Sequence, residues 1–187
     1  MMARQTSAAI PWTLGRLELD PSHHVVDVGF GRGDSLAALL DHVPDGHVAG
    51  VEMSETMLTD ATKRFRQAIQ RRQLSLHPTE DGTLPIPDTS FDRAVTLNTV
   101  YITEDPTALF RELYRVLVPG GKAAITFPER RGFAEFPPAR TEGFFLHELS
   151  DLEAAMSTAG FVDVATHSNP GLPLEPQCLV GNRSFPG

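Results

Sequence analysis

Three alternating glycines follow a short apolar segment near the start of the chain. Asp27 lies within that segment, and Gly29, Gly31 and Gly33 follow at every second position. Glycine lets the backbone N–H groups of a loop approach a ligand closely, and a helix N-terminus after such a loop favours a carboxylate or a phosphate. The D-x-G-x-G-x-G pattern therefore predicts a binding site for a nucleotide-like cofactor.

The spacing of the glycines bears on the kind of cofactor. A dinucleotide-binding G-x-G-x-x-G fingerprint needs a third glycine so that helix and strand can pack closely. Counted from Gly29 and Gly31, that position is Asp34. The loop therefore disfavours a nicotinamide dinucleotide. A glycine-rich turn that serves only structure stays open from this segment alone.

An acidic residue ends the next apolar segment. Residues 47–52 read His-Val-Ala-Gly-Val-Glu and are followed by Met53. In a nucleotide-binding βαβ unit, an acid at the end of the second strand accepts hydrogen bonds from ribose hydroxyl groups. Glu52 is therefore the candidate ribose ligand, and an exposed acid at a strand end is the structural alternative.

Two later segments carry motifs of their own. Residues 84–92 read Leu-Pro-Ile-Pro-Asp-Thr-Ser-Phe-Asp, and residues 115–121 read Arg-Val-Leu-Val-Pro-Gly-Gly. Together with the glycine loop and the acid at residue 52, they resemble the motifs of class I S-adenosylmethionine-dependent methyltransferases, in the same order and at the usual distances. The resemblance covers residues 20 to 165 or so and points to the type 11 and ubiquinone-biosynthesis methyltransferases.

The resemblance implies S-adenosylmethionine as cofactor and methyl transfer as the activity. Asp27 and the backbone of Gly29–Gly33, including Phe30, would hold the methionine part of the cofactor, with Asp27 at its amino group. Glu52 would bind the ribose hydroxyls, and Met53 would lie against the adenine.

Later positions of the family pattern imply the remaining cofactor contacts. The adenine amino group would meet Glu80 or Asp81, where the family more often has Asp followed by Ala, so the choice between two acids stays open. Asn98, just past the fourth predicted strand, would face the methyl group. The residues expected at the cofactor are Asp27, Gly29, Phe30, Gly31, Gly33, Glu52, Met53, Glu80, Asp81 and Asn98.

Methyl transfer from a sulfonium is an in-line displacement in which the protein mainly positions the reactants. A general base is needed only if the acceptor loses a proton during attack. By their place in the family pattern, Tyr101 and His147 are the catalytic candidates on the acceptor side. The alternatives are a pocket wall for Tyr101 and a surface residue at a helix start for His147.

Alternating strand and helix patterns must position these residues. The apolar periods predict strands at 24–29, 47–52, 73–78, 92–98, 122–127, 161–168 and 176–184, and helices at 34–42, 54–72, 105–116 and 150–159. Ser54 is expected to cap one helix, and Ser150–Glu153 to form a capping box at another. The expected fold is α/β and Rossmann-like: a mostly parallel seven-stranded sheet with an antiparallel terminal hairpin and helices on both faces.

A single domain over residues 1–187 accounts for the length and composition. Residues 1–20 are expected to form an arm or weak helix that partly covers the cofactor. Residues 128–147 are expected to form a lid on the acceptor side, because residues 128–145 hold four of the chain's 11 phenylalanines and three arginines in one long loop. The aromatics suggest an apolar or planar small molecule, and the arginines could meet an acidic group. Phenylalanines that only fill the core are the alternative.

Composition and charge exclude several classes of function. A formal net charge of −8 repels nucleic-acid phosphates, no apolar run reaches about 20 residues, and the histidines lack metal-ligand spacing. The single cysteine, Cys178, cannot form an internal disulfide, and no secretion-signal pattern is visible. We therefore expect a cytoplasmic protein that acts on a small molecule, without metal, membrane span or nucleic-acid partner. The sequence does not indicate the oligomeric state.

Two other functions stay open at this point. One is a non-catalytic or regulatory S-adenosylmethionine-binding protein of the same fold, since a fold does not fix a function. The other is a nicotinamide-dependent oxidoreductase, which Asp34 and the expected terminal hairpin oppose.

Overall fold

Seven strands form one sheet in the computed structural model, which describes residues 2–80, 82–129 and 143–185. In chain order the strands are β1 (His24–Val28), β2 (His47–Glu52), β3 (Leu74–Pro78), β4 (Phe91–Leu97), β5 (Leu117–Phe127), β6 (Phe161–Ser168) and β7 (Gln177–Arg183). Their order across the sheet is β3-β2-β1-β4-β5-β7-β6.

The pairing confirms the predicted sheet. The strands β3, β2, β1, β4 and β5 pair in parallel, whereas β7 pairs antiparallel with both β5 and β6. The strand order reverses between β1 and β4, so the carboxyl ends of β1, β2 and β4 border one crevice. Ligands of open α/β sheets bind at such a switch point.

Helices cover both faces of the sheet, as predicted. They are α1 (Met2–Leu14), α2 (Asp34–His42), α3 (Glu55–Arg64), α4 (Arg66–Gln70), α5 (Pro106–Val116) and α6 (Leu149–Thr158), with a 3₁₀ turn at Val100–Ile102. Because successive strand side chains point to opposite faces, Val26 of β1 packs in a core cluster with α5 and α6. Its neighbour Val25 packs in a second cluster with α1, α2 and α3.

Two helix starts agree with the sequence prediction. The Ser54 side chain accepts a hydrogen bond from the Met57 N–H group, and Asp105 accepts bonds from Thr107 and Ala108. Both side chains satisfy N–H groups that have no partner within the helix. These caps fix where α3 and α5 leave the carboxyl edge of the sheet.

Three predicted element bounds are wrong. The helix expected over 54–72 is interrupted at Phe65, whose ring is buried beside Gly33 and whose backbone leaves the helical region. The capping box at Ser150–Glu153 is absent, because α6 starts at Leu149, which packs on the core, and no side chain caps it. Strand β5 begins at Leu117 instead of Lys122, since Leu117 already pairs with Phe91 across a register shift.

Arg115 joins the two later sequence motifs. Its guanidinium donates to the Glu112 carboxylate at 2.8 and 2.7 Å, to Asp88 at 2.5 Å, and to the carbonyl oxygens of Leu84 and Ile86 at 2.9 and 3.0 Å. Glu112 in turn accepts a hydrogen bond from the Leu84 N–H group at 2.7 Å. The hydrogen bond from Arg115 lowers the pKa of the Glu112 carboxyl. One side chain therefore fastens the segment after β3 to α5.

We expect Arg115→Met to lower the free energy of unfolding by about 2 kcal/mol, because it leaves the partly buried Glu112 without its cation and two carbonyl groups without donors. Urea unfolding measures the loss, and hydrogen exchange should show faster opening of residues 82–88. Arg111→Met is the control, since Arg111 is exposed on the same helix. Equal losses in the two variants would contradict the role of Arg115.

Candidate functional site

Two cavities lie at the carboxyl ends of β1, β2 and β4. The main cleft has a volume of about 390 Å³, which is within the range of small-molecule sites. Its lining includes Glu52, Met53, Thr79, Thr83, Asn98, Ile102, Asp105, Glu112 and Phe144. The α1 cavity, of about 230 Å³, lies between α1 and the glycine loop, and its lining includes Ser7, Ile10, Phe30, Arg32 and Ser35.

A third, smaller space adjoins them. The β5 cavity has a volume of about 10 Å³ and is bordered by α1, by the ends of β4 and β5, and by the loop before β7. Leu97 and Asn98 line all three cavities. The end of β4 is therefore the point where the three spaces meet.

The glycine loop exposes its backbone to the two larger cavities. Gly29 and Gly31 line both of them and have φ angles of +74° and +53°. A Cβ atom at Gly29 would lie 2.2 Å from Thr99 Oγ1, so that only glycine fits. A Cβ atom at Gly31 would meet nothing within 4 Å. A ligand can therefore approach the Gly31 backbone directly.

The Glu52 carboxylate binds three backbone N–H groups. Oε2 accepts a hydrogen bond from Gly31 at 2.9 Å, and Oε1 accepts bonds from Met53 and Ser54 at 2.9 and 3.0 Å. Glu52 is only 8% exposed and lines the main cleft. Its side chain therefore holds the glycine loop against the end of β2 and presents a fixed carboxylate to the cleft.

Asp27 is a buried carboxyl group beneath the glycine loop. Its Oδ2 atom accepts a 2.5 Å hydrogen bond from Ser35 Oγ, whereas Oδ1 has no partner within the described part of the chain. Burial raises the pKa of Asp27 to about 7 against the opposing effect of the Ser35 hydrogen bond, and the nearby charge of Glu52 contributes to the rise. Asp27 lines neither of the larger cavities but reaches the α1 cavity through Ser35.

The structure brings most of the other cofactor candidates to the same place. Met53 is 57% exposed at the main cleft, and Phe30 is buried against the α1 cavity. Gly33 precedes α2 with a φ angle of +78° and lines neither cavity. Asn98 has a left-handed backbone at φ +63°, and its N–H group donates to the Thr126 carbonyl at 2.8 Å. An asparagine in this conformation often marks a functional position.

The acids expected at the adenine differ from the residues that line the cleft. Glu80 is exposed and is not part of the lining, whereas its neighbours Thr79, Thr83 and Leu84 are. Asp81 lies outside the residues that the structure describes.

Sequence reasoning missed Asp105, which caps α5, and Glu112 of α5; both line the cleft. The signal for Asp105 was its place in the segment that leads from the carboxyl end of β4 to α5. The signal for Glu112 was its spacing of three residues from Arg115, with which it pairs.

The two catalytic candidates lie outside the lining of the three cavities. Tyr101 is 1% exposed, and its hydroxyl donates to the Pro128 carbonyl at 2.6 Å. His147 is partly buried, with Nε2 hydrogen-bonded to the Thr103 carbonyl at 2.9 Å and its ring stacked on Phe145. Because Thr103 lines the main cleft, His147 lies one residue behind it.

The structure describes part of the two segments expected to cover the site, the arm at residues 1–20 and the lid at residues 128–147. Residues 2–14 form α1, whose Ser7 and Ile10 border the α1 cavity, and Ser7 Oγ donates to Asp34 Oδ2 at 3.1 Å. Within the expected lid, residues 130–142 lie outside the described residues. At its two ends, Pro128 borders the β5 cavity and Phe144 lines the main cleft.

The described residues fit the cofactor that the resemblance implies. An unpartnered buried carboxylate oxygen at Asp27 suits an ammonium group, and the exposed Gly31 backbone permits close approach. The fixed Glu52 carboxylate suits ribose hydroxyl donors. Across ranges 2–80, 82–129 and 143–185, no cluster of three or more His, Cys, Asp or Glu side chains could hold a metal. No helix in these ranges has the length and apolarity to cross a membrane.

Comparison with known proteins agrees with this geometry. Residues 26–125 match a family model described as a methyltransferase domain. The chain is 32% identical over 165 residues to the uncharacterized methyltransferase YdaC of Bacillus subtilis (strain 168), a match that covers 88% of this chain and 85% of YdaC. Other curated relatives are longer, and the chain spans 19% to 42% of their length.

Solved structures share the fold. One is a chain of the complex between the Haloferax volcanii Trm112 methyltransferase activator and a methyltransferase, with a TM-score of 0.81, 21% identity, and coverage of 99% of this chain and 92% of that chain. Another is Haemonchus contortus phosphoethanolamine N-methyltransferase 2 in complex with S-adenosyl-L-methionine. Its TM-score is 0.80 at 17% identity, and the match covers 95% of this chain and 53% of that chain.

The raised pKa of Asp27 predicts a pH-dependent stability. Between about pH 4, where the unfolded carboxyl titrates, and about pH 7, the folded state holds a proton that the unfolded state releases. The free energy of unfolding should therefore fall as the pH rises through this window, by up to about 4 kcal/mol. Asp27→Asn keeps an acceptor for Ser35 without the titration, so it should gain stability relative to the parent protein between pH 5 and pH 8.

Urea unfolding at pH 5, 6.5 and 8 measures this difference. Asp41→Asn serves as control, because Asp41 is exposed on α2. A difference between Asp27→Asn and the parent that stays constant across the three pH values would show that Asp27 is not the titrating group.

Proposed function

The chain belongs to the methyltransferase-domain family, whose cofactor is S-adenosylmethionine, and we propose that it transfers the cofactor's methyl group to a small-molecule acceptor. The observation that carries this proposal is the hydrogen bond from the Gly31 N–H group to Glu52. It places a fixed carboxylate and an accessible loop backbone at one edge of the sheet. The net charge of −8 disfavours nucleic acid as the acceptor. The single cysteine, the buried Cys178, cannot form an internal disulfide, which supports a cytoplasmic location.

The two larger cavities divide the cofactor between them. In the main cleft, Glu52 would accept hydrogen bonds from the ribose hydroxyls, and the exposed Met53 would cover the adenine. In the α1 cavity, the methionine part would lie at the N-terminus of α2, where the N-cap residue is Gly33 and has no side chain to accept from the first N–H groups. A carboxylate is favoured there by the helix dipole.

The charges of Asp27 and Arg32 support this placement of the methionine part of the cofactor in the α1 cavity. An ammonium group at Asp27 would give the Oδ1 atom the donor that it lacks among the described residues, and would favour the ionised carboxylate. Arg32 borders the same cavity and can pair with a carboxylate group. These two opposite charges would fix both ends of an amino-acid moiety.

The protein contributes to the reaction mainly by positioning the cofactor and the methyl acceptor. The bound sulfonium supplies an activated methyl group, so that holding it in line with the acceptor is the protein's main task. Asn98 lies where all three cavities meet, and its position is fixed by the hydrogen bond to Thr126. We assign to it the orientation of the methyl end of the cofactor.

Tyr101 and His147 have supporting positions in this proposal. The Tyr101 hydroxyl already donates to Pro128, so we assign it the role of a wall that holds the start of the expected lid. The Nε2–H group of His147 donates to the Thr103 carbonyl, which leaves the Nδ1 atom able to accept a proton. His147 therefore stays the candidate general base for a substrate that loses a proton when it is methylated. Residues 1–20 and 128–147 would cover the site from two sides of one domain.

A thermal-shift experiment with S-adenosylhomocysteine tests the cofactor site. The ligand should raise the melting temperature of the parent protein, and Glu52→Ala and Gly31→Val should each weaken its binding at least tenfold. Glu52→Ala removes the ribose acceptor, and Gly31→Val places a branched side chain at a left-handed position in the cleft. Glu55→Ala and Gly160→Ala are matched controls, since Glu55 is exposed and Gly160 has a φ angle of +108° away from the site.

Unchanged shifts in both site variants would refute the placement of the cofactor. A shift without release of product from labelled S-adenosylmethionine, across a panel of oxygen, nitrogen, sulfur and carbon acceptors, would favour the non-catalytic alternative. Membership in the methyltransferase family argues against a nicotinamide-dependent oxidoreductase. NAD therefore serves as the negative control in the thermal-shift experiment.

We expect Tyr101→Phe to leave the turnover number within about threefold of the parent value while lowering the free energy of unfolding by about 1–2 kcal/mol. The reason is that the buried Pro128 carbonyl loses its donor. Methyl transfer from labelled S-adenosylmethionine and urea unfolding measure the two effects. A hundredfold loss of turnover with unchanged stability would instead identify Tyr101 as a catalytic residue, and His147→Asn gives the comparison for a proton acceptor.

A further inference from the structure

The β5 cavity meets the two cofactor cavities at Asn98 but is built from different parts of the chain. Within the described part of the chain, its lining is formed by Ala9 of α1, Leu97 at the end of β4 and Asn98 after it, Thr126 and Pro128 at the end of β5, and Pro173, Leu174 and Pro176 of the loop before β7. A ligand that spans the main cleft and the α1 cavity leaves this third side open to a second reactant. The β5 cavity is therefore where an acceptor can reach the end of β4.

The wall of the β5 cavity is apolar. Six of the eight described lining residues are alanine, leucine or proline. Proline has no N–H group to donate, so that the wall carries few donors of its own. The Thr126 hydroxyl is paired with the Thr13 hydroxyl at 2.8 Å.

The carbonyl groups of the wall are also engaged within the protein. The Pro128 carbonyl accepts from the Tyr101 hydroxyl, and the Leu174 carbonyl accepts from the Glu129 N–H group at 3.1 Å. The Pro176 carbonyl accepts from Asn169 at 3.0 Å. At Pro128, Leu174 and Pro176, an acceptor therefore meets carbon atoms and carbonyl groups that already have partners.

The loop before β7 is held in an unusual conformation at the same place. Leu174 and Glu175 are consecutive non-glycine residues with φ angles of +65° and +45°. Each such residue costs about 1 kcal/mol or more unless the surroundings hold it. The bond from Glu129 to Leu174 ties this turn to the end of β5. The structure thus keeps the partly buried Leu174 side chain at the cavity rather than in a relaxed turn.

We propose that Leu174 is a specificity-determining residue of the acceptor site, and that its wall selects an acceptor with an uncharged, apolar end over a phosphomonoester. This inference rests on the proposed function. The cavity of about 10 Å³ has room for about one water molecule, so it receives the end of the acceptor, and the rest extends outward.

Charge argues against a phosphomonoester at this wall. Among the described residues of the wall, none is Lys, Arg or His, and two of their neighbours in sequence, Glu129 and Glu175, are acids. Moving an anion from water to an apolar surface without a donor or a cation is strongly unfavourable. An uncharged aromatic or alkyl group instead gains from leaving water. The phenylalanines and arginines of residues 128–145 suggested an apolar or planar acceptor that could carry an acidic group, and this wall favours the apolar part of that acceptor.

Saturation-transfer NMR on the protein saturated with S-adenosylhomocysteine tests the inference. The probes are phenol and 2-naphthol, which are uncharged, and phosphoethanolamine, which carries a phosphomonoester. We expect the uncharged probes to bind and phosphoethanolamine not to bind. Leu174→Ala should weaken binding of the uncharged probes at least fivefold, and Leu174→Met should restore it to within twofold of the parent.

Leu172→Ala is the matched control, because Leu172 is a partly buried leucine of the same loop that lines none of the three cavities. It should leave probe binding within twofold of the parent value. Equal effects of Leu172→Ala and Leu174→Ala, tighter binding of phosphoethanolamine than of phenol, or no binding of either uncharged probe would overturn the inference.

The dissociation constant of S-adenosylhomocysteine, measured in the same samples, separates this inference from the proposed function. It should be unchanged in all three leucine variants. Failure of S-adenosylhomocysteine to bind the parent protein would refute the proposed function and the inference with it. Normal S-adenosylhomocysteine binding with unselective probe binding would refute the inference alone.

Discussion

The main cleft depends on the bonds between the Glu52 carboxylate and the backbone of two loops. Gly31 belongs to the loop after β1, and Met53 and Ser54 belong to the turn after β2, so a single side chain joins two neighbouring strand ends. Hydrogen bonds to a charged acceptor in a nearly buried position are strong and directional. Because Glu52 is already fixed in this way, a ribose would not have to order it, and the cost of binding is lower.

The same edge of the sheet holds a second carboxyl group at a cost in stability. Asp27 is buried, and both burial and the charge of Glu52 raise its pKa to about 7. A fold optimised only for stability would place an apolar residue in that position, as it does at Val26 and Val28 on either side. Strained or unpaired groups of this kind concentrate at sites where a ligand later satisfies them. The fold supplies the missing stability elsewhere, for example where Arg115 binds four groups of the segment after β3 and α5.

The sequence predicted the sheet and the glycine loop well, because both depend on local patterns. Alternation of strands and helices, the turn glycines and the Ser54 cap all act over a few residues. The errors lie where distant packing overrides the local pattern. Phe65 interrupts a helical period because its ring is buried beside Gly33, and Leu149 rather than Ser150 begins α6 because it packs on the core. Similarly, Glu112 was missed because its role depends on a loop 28 residues earlier in the chain.

This division between local and distant contacts also explains why the acceptor is harder to predict than the cofactor. The cofactor's expected ligands lie mostly within residues 27–53, where contiguous segments bring them together. The β5 cavity instead joins α1, the ends of β4 and β5, and the loop before β7, which are far apart in the chain. A change in that loop can alter the acceptor wall without moving Glu52 or the glycine loop. One fold can therefore keep its cofactor site while its acceptor varies, because the two sites share only the end of β4.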